Sequence, residues 1–541
     1  MDIRERIKGI FPAEEEVPAE FRLPQMIEQR SWLVAGELRR WDGALQEVRS
    51  PVCIRTRDGI ERRLIGRFPL LGENEALAAL DAAVRAYDSG RGVWPTLSVA
   101  ARIERVQDFA AQMKGERSGV VRLLMWEIGK SRNDAEKEFD RTIDYIGDTI
   151  DALKELDRVS SRFVIAQGII GQVRRSPLGV VLSMGPFNYP LNETFTTLIP
   201  ALIMGNTTVV KPPRHGVLLF QPLLEAFRDA FPPGVVNIVY GEGRKIAPPL
   251  MASGEVDALA FIGTSRAADS LQKAHARPHR LREVLGLEAK NPAIILPDAD
   301  LDQTVTECVA GSLSFNGQRC TALKIIFVHD SIAEPFLRLF SSAIGHLPCG
   351  MPWEPGVAIT PLPEPGKPAY LSDLIADAEN HGARVANDGG GTVNGTFFYP
   401  AVLYPVDDRM RLYREEQFGP VIPVVPFSDI ATPVEYLVTS DYGQQVSIFG
   451  RDPARIATLI DPLVNQVCRV NINSQCQRGP DIFPFTGRKD SAVGTLSVSD
   501  ALRSFSIRTL VAAKENEANR EIIRSIIRER RSNFLSTDFI L

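Results

Sequence analysis

From about residue 177 the chain repeats one pattern: a short apolar run of strand length, a helical stretch, then another apolar run. Residues 179–183, 207–210, 235–240 and 258–262 are the strand-like runs; residues 191–204 and 216–230 are the helical stretches between them. Strand, helix, strand at this spacing leaves little choice of architecture. The strands lie parallel in one sheet, and ligands bind outside their carboxyl ends. No Gly-x-Gly-x-x-Gly fingerprint follows any of these strands, so an ordinary dinucleotide motif is not claimed. A second alternation runs from about residue 291 to 490. At 541 residues the chain exceeds one hydrophobic core, so more than one domain is expected.

The remaining stretches are simpler. Residues 1–30 carry Pro12, Pro18 and Pro24 among acids and read as a surface-wrapping arm. Residues 73–87 place Leu77, Leu80, Val84 and Tyr87 at helical spacing, with Asn74 as the expected cap. Residues 99–156 read as helical throughout. Residues 163–173, with Gly168 and Gly171, read as a protruding hairpin, and residues 504–511 alternate as a half-exposed strand. Residues 515–531 gather Ile522, Ile523, Ile526 and Ile527 on one helical face. With Glu517, Glu521 and Glu529 nearby, that face is expected to pack on protein rather than lie on a membrane.

Composition excludes several classes. The net charge is −5 and the pI about 5.9, without the basic footprint of a nucleic-acid binder. No apolar run is long enough to span a membrane, and the first residues hold no apolar signal core. Six scattered cysteines show neither a disulfide framework nor metal-ligand spacing, and with six histidines and no His-x-x-x-His pair no metal site is expected. A cytoplasmic protein is the expectation.

One of those cysteines stands apart. Ser314-Phe315-Asn316-Gly317-Gln318-Arg319-Cys320-Thr321-Ala322 sets a thiol beside a guanidinium, and nearby positive charge favours the nucleophilic thiolate. Pro186-Phe187-Asn188-Tyr189-Pro190 follows the first parallel strand, where an amide is placed to donate to an oxyanion, a type of donor often worth about 3 kcal/mol. Lys211 ends the next strand, and three residues later Arg214 offers a cation suited to phosphate.

Taken together, these segments resemble the aldehyde dehydrogenase superfamily. Gly263-Thr264 resembles its pyrophosphate turn, although Ala268 stands where a glycine is usual. Glu416-Gln417-Phe418-Gly419-Pro420 resembles the segment that holds the nicotinamide ribose. The resemblance implies Cys320 as nucleophile, with Asn188 and the Cys320 N–H as oxyanion donors. It implies Pro186, Phe187, Lys211, Arg214, Gly263, Thr264, Glu416 and Phe418 as cofactor contacts. Arg214, where NAD-preferring members often carry a glutamate, favours NADP, with NAD as the alternative. Arg141, Tyr189, Arg319 and Arg478, the last in Gln477-Arg478-Gly479-Pro480, resemble the substrate-phosphate clamp of the non-phosphorylating NADP-dependent glyceraldehyde-3-phosphate dehydrogenases.

In one place the match breaks. The general base of the family is the glutamate of Glu-Leu-Gly-Gly-Lys, and here the segment reads Gly286-Leu287-Glu288-Ala289-Lys290. In an extended chain Glu288 points to the same side as the lost glutamate, displaced by about 6.6 Å. Glu288 is the expected replacement.

The expected fold is therefore α/β and aldehyde dehydrogenase-like. Residues 1–155 and 176–290 form a parallel-sheet cofactor domain, and 291–490 an α/β catalytic domain. Residues 156–175 and 491–514 form a small β oligomerisation element, and 515–541 a helical tail. The expected reaction is NADP-dependent oxidation of an aldehyde, glyceraldehyde 3-phosphate, to its acid through a cysteine thioester, in a homodimer or homotetramer. Two alternatives stay open: transfer of the acyl group to coenzyme A, and a cofactor-binding protein of the same fold with weak catalysis.

Overall fold

A computed structural model describes residues 3–23 and 25–540; Pro24, part of the expected arm, lies outside them. Two large sheets dominate. The first has eight strands in the order Ala492–Val493, Arg282–Gly286, Ala258–Ile262, Val180–Met184, Thr207–Lys211, Val236–Ile238, Ser31–Val34, Glu37–Arg40. The central five are parallel, and antiparallel strands close both edges. Strand order reverses between Val180–Met184 and Ala258–Ile262, because each begins a run in the opposite direction. A crevice opens there, outside the carboxyl ends.

The second sheet has seven strands, with Leu323–His329 and Asn291–Ile295 adjacent and parallel at its centre. The chain passes directly from one sheet to the other: Arg282–Gly286 ends the first run, and four residues later Asn291–Ile295 begins the second. The carboxyl edge of one sheet thereby faces the amino edge of the other. A third sheet pairs Ser506–Lys514 with Ile169–Pro177, which pairs with Phe163–Ala166. The outer strand Ser506–Lys514 leaves one edge unpaired and exposes Ile507, Leu510 and Val511.

Several expected elements differ in detail. The helix Glu73–Tyr87 forms as expected, yet its cap is Gly72 and not Asn74. The Glu75 carboxylate reaches back to the Gly72 N–H at 2.9 Å, so the first turn is satisfied from within. The run from 99 to 156 is three helices, Val99–Gly115, Arg117–Ile128 and Arg132–Ser160. Gly129 in the left-handed region ends the second, and the Ser131 hydroxyl caps the third. The stretch 216–230 is a tight 3-10 segment, Leu218–Leu223, before a short α-helix, Leu224–Ala230; Pro222 has no N–H for a regular helix.

Two strand pairs near the N-terminus, Ser31–Val34 with Glu37–Arg40 and Leu45–Thr56 with Gly59–Pro69, were not expected. The arm before them is docked rather than draped, with Ile7, Phe11 and Val17 buried. Ala492–Val493, expected in the oligomerisation element, pairs instead with the first sheet.

The tail helix Glu517–Arg528, expected to pack on protein, finds little cover within this chain. It buries no residue, and Ile522 is 57% exposed. It follows the outer strand of the third sheet directly. Residues 532–536 then fold back, with the Asn533 amide donating to the Thr96 carbonyl and the Ser536 N–H to the Gln172 side chain.

Candidate active site

The crevice between the facing edges is a cavity of about 640 Å³. The strand Val180–Met184 delivers Pro186, Phe187 and Asn188 to it, Thr207–Lys211 delivers Lys211 and Arg214, and Ala258–Ile262 delivers Gly263 and Thr264. From the second sheet come Cys320, just before Leu323–His329, and Glu416 with Phe418, just before Val421–Phe427. Glu288 enters from the connection between the sheets. Eleven residues expected from separate segments thus share one space.

The turn after Met184 is held closely. A Cβ on Gly185 would lie 1.8 Å from the Thr194 hydroxyl, so only glycine lets the chain bend there. The Asn188 amide then donates to the Gln318 carbonyl at 2.9 Å, tying the oxyanion-donor candidate to the residues before Cys320. From below, the buried Lys130 ammonium donates to the Asn188 carbonyl at 2.8 Å and pairs with Glu138. Glu138 in turn accepts from the Leu191 and Asn192 N–H groups, fixing the start of the helix Asn192–Ile203. Lys130 also sits 3.5 Å from the Tyr189 ring centroid. Sequence reasoning missed this pair, because Lys130 follows a helix end where a lysine is ordinary.

The approach to Cys320 is strained. Phe315 and Asn316 have φ of +48° and +55°, uncommon for side chains of their size. Asn316 is anchored by exchanging two hydrogen bonds with Thr360, at 3.0 and 3.1 Å. The Cys320 carbonyl accepts from the Asn291 amide at 2.8 Å and the Lys324 ammonium at 2.9 Å. Burial pushes the Cys320 thiol above its ordinary value and the Glu193 carboxylate pushes it further; Lys324 and Arg478 oppose them. Arg319, expected to assist the thiolate, turns away, donating to the Ala310 and Gly311 carbonyls and to Gln475.

The two glutamates expected here are both engaged. Glu416 pairs with Lys324 at 2.6 Å and accepts from the Ala289 N–H at 3.1 Å. The Glu288 carboxylate accepts from the Ser265 N–H at 2.8 Å, at the first residue of the helix Ser265–Ala274, which the Thr264 hydroxyl also caps. Its negative charge complements that helix end. Phe187 and Phe418 meet edge to face at 5.9 Å and wall the cavity between the two sheets.

At the far end stand cations without partners. Among the described residues, neither the Lys211 nor the Arg214 side chain makes a hydrogen bond or an ion pair, although Lys211 is only 7% exposed. Burial, with Arg214 beside it, brings the Lys211 ammonium down to about 8. Arg244 lines an adjoining cavity with both of them. An unpaired buried ammonium beside a guanidinium suits a phosphate ester, so these residues fit the phosphorylated ribose of a dinucleotide.

The expected phosphate clamp is not assembled in this space. Arg141 and Tyr189 line a separate cavity of about 430 Å³. Arg141 is held by Asp481 through two of its guanidinium nitrogens, at 2.8 and 3.1 Å. Arg478 is buried between Glu193 and Asp481 and lies 4.7 Å above the Phe485 ring, which does line the main cavity. Carboxylates already match these guanidiniums. Glu193, which no motif singled out, lines the main cavity with Cys320. No metal-binding cluster occurs among the described residues, and no helix there is long and apolar enough to cross a membrane.

Residues 48–511 match the model of the aldehyde dehydrogenase family. A similar curated protein is the NADP-dependent glyceraldehyde-3-phosphate dehydrogenase of Streptococcus equinus, 32% identical over 81% of this chain and 91% of that protein. Among solved structures, the NADP-dependent glyceraldehyde-3-phosphate dehydrogenase from Bacillus halodurans complexed with NADP has a TM-score of 0.82 at 30% identity, covering 90% of this chain and 99% of its own. Lactaldehyde dehydrogenase from Escherichia coli has a TM-score of 0.80 at 25% identity, covering 91% of this chain and 100% of its own.

Proposed function

The chain belongs to the aldehyde dehydrogenase family, and from that premise we propose that it oxidises glyceraldehyde 3-phosphate to its acid with NADP through a thioester on Cys320. The observation that carries this reading is the polarity of one cavity, with a thiol and an amide at one end and two unpaired cations at the other. Lys211 and Arg214 would hold the 2′-phosphate side of NADP, and Glu416 and Phe418 would lie near its nicotinamide end. NADP, when bound, supplies the hydride acceptor. Cys320 Sγ adds to the aldehyde carbon, and the Asn188 amide with the Cys320 N–H stabilises the oxygen as charge develops on it. Loss of the aldehyde hydrogen leaves the acyl group on sulfur, and water releases the acid.

The two glyceraldehyde-3-phosphate dehydrogenases named above support the phosphorylated substrate. One observation favours a second reading: Asp481 and Glu193 already neutralise Arg141 and Arg478, which suits an uncharged hydroxyaldehyde. Comparing kcat/KM for glyceraldehyde 3-phosphate and glyceraldehyde, with NADP and with NAD, decides between them. The first reading expects the phosphorylated aldehyde with NADP to lead by more than tenfold. Equal or reversed values sink it, and turnover only with added coenzyme A would replace hydrolysis by acyl transfer. We also read the unpaired outer strand of the third sheet as a contact between subunits in a homo-oligomer, located in the cytoplasm.

A further inference from the structure

We propose that Glu193 is the general base that activates water for release of the acid from Cys320, while Glu288 serves to hold the start of the helix Ser265–Ala274. The inference rests on the thioester reading above and concerns its second half.

Five carboxylates besides Glu193 deserve comparison at the cavity wall or beside it. Glu416 is taken by Lys324 and the Ala289 N–H, Glu415 by Arg411, and Glu364 lies near Lys367. Asp481 is shared by Arg141 and Arg478, and Glu288 by the Ser265 N–H. Glu193 differs in how it is held. It sits in the first turn of the helix Asn192–Ile203, whose backbone starts from the Asn188 segment: the Glu193 N–H donates to the Tyr189 carbonyl at 3.1 Å. One carboxylate oxygen, Oε2, is fixed by Arg478. The other, Oε1, accepts no hydrogen bond among the described residues and is not sealed off, so it opens on the cavity that Cys320 also lines. A carboxylate gripped at one oxygen and free at the other is oriented to hold a water.

The electrostatics agree. After burial itself, Glu193 is the strongest influence raising the Cys320 thiol; Glu416 acts more weakly. The step balances as follows. The water oxygen bonds to the thioester carbon while Glu193 Oε1 takes its proton. The tetrahedral intermediate then collapses, the C–S bond breaks with its electron pair on sulfur, and the proton held by Glu193 returns through water to Cys320. Thioester and water become acid and thiol, with no further reactant.

The test is rapid mixing of the full chain with aldehyde and NADP, comparing wild type, Glu193→Gln and Glu288→Gln. We expect E193Q to give a full burst of reduced nucleotide, one per site, and then to stall at a steady rate at least 100-fold down. Acyl-enzyme should accumulate in its intact mass, and hydroxylamine, which needs no base, should restore turnover. E288Q should continue past the burst, with its effect on apparent NADP affinity. Because Gln removes a negative charge near the thiol, E193Q should also alkylate at Cys320 faster than wild type at pH 7, while its full burst shows that the fold and the thiol are intact. Sustained turnover by E193Q, or stalling by E288Q instead, overturns the proposal. If wild type bursts with glyceraldehyde but not its phosphate, the substrate reading fails and the same comparison proceeds with glyceraldehyde. No burst with either aldehyde overturns the thioester reading and this inference with it.

Discussion

At the scale of residues, the cavity separates what a motif announces from what only folding reveals. Cys320, Asn188 and Glu416 each stand in a distinctive local segment, and all three line the cavity. Glu193 stands in the first turn of a helix, where an acid is unremarkable, and its partner Arg478 is 285 residues away. Nothing in the local sequence marks such a contact. The unpaired cations carry a prediction about pH. Lys211 is charged below about 8 in the free protein, so its attraction for an anionic ligand is present at pH 7 and fades as pH rises through 8. NADP affinity, measured by calorimetry, should therefore fall between pH 7 and pH 9. Arg214→Glu should cut the NADP-to-NAD ratio of kcat/KM by more than tenfold at any pH in that range, since a carboxylate repels the 2′-phosphate. An unchanged ratio would place that phosphate elsewhere.

At the scale of elements, hydrophobic periodicity located four of the five central parallel strands of the first sheet and the helix between the first two, and boundaries failed where side chains override propensity. Glu75 capping Gly72, Gly129 ending a helix and Pro222 tightening a turn are each one-residue events inside otherwise regular stretches. The packing of elements was less legible still. Lys130 and Glu138, fully buried, clamp the Asn188 turn to the helix that follows it. Removing one member leaves the other as an uncompensated buried charge, which typically costs about 3–5 kcal/mol. Lys130→Met should lower unfolding free energy by about that amount in denaturant titration and should also slow thioester formation, because Asn188 loses its anchor. Gly286 is different. The nearest atoms a Cβ there would meet belong to Ile262, at 3.4 Å and beyond, so Gly286→Ala should fold with a change within about 1 kcal/mol. The glycine at the family's base position is not demanded by the backbone.

At the scale of the whole molecule, the alternating pattern foretold a parallel sheet, and the hairpin and late strand foretold the third sheet. The two N-terminal strand pairs were not foreseen, and the tail helix, expected to pack on protein, buries no residue against its own chain. The strand pairs are local hairpins joined at Ala35-Gly36 and Arg57-Asp58, turn signals left unread, whereas cover for the helix depends on something outside this chain. The outer strand Ser506–Lys514 exposes Leu510 at 58%, beside the unpaired edge. Leu510→Lys should lower the mass seen by sedimentation, as charged side chains on an edge discourage pairing. A mass equal to one chain in the unmodified protein would remove that role from the strand.

The opposition of two sheet edges has a consequence for how such a protein changes over time. The groups suited to gripping a dinucleotide's phosphate lie on one layer, and the thiol lies on the other. Lys211 and Arg214, whose side chains bond nothing among the described residues, can change while the Asn188–Gln318 link between the walls stays intact. Cofactor preference and chemical reactivity are thereby separately inheritable traits, free to drift under different selective pressures within a single gene.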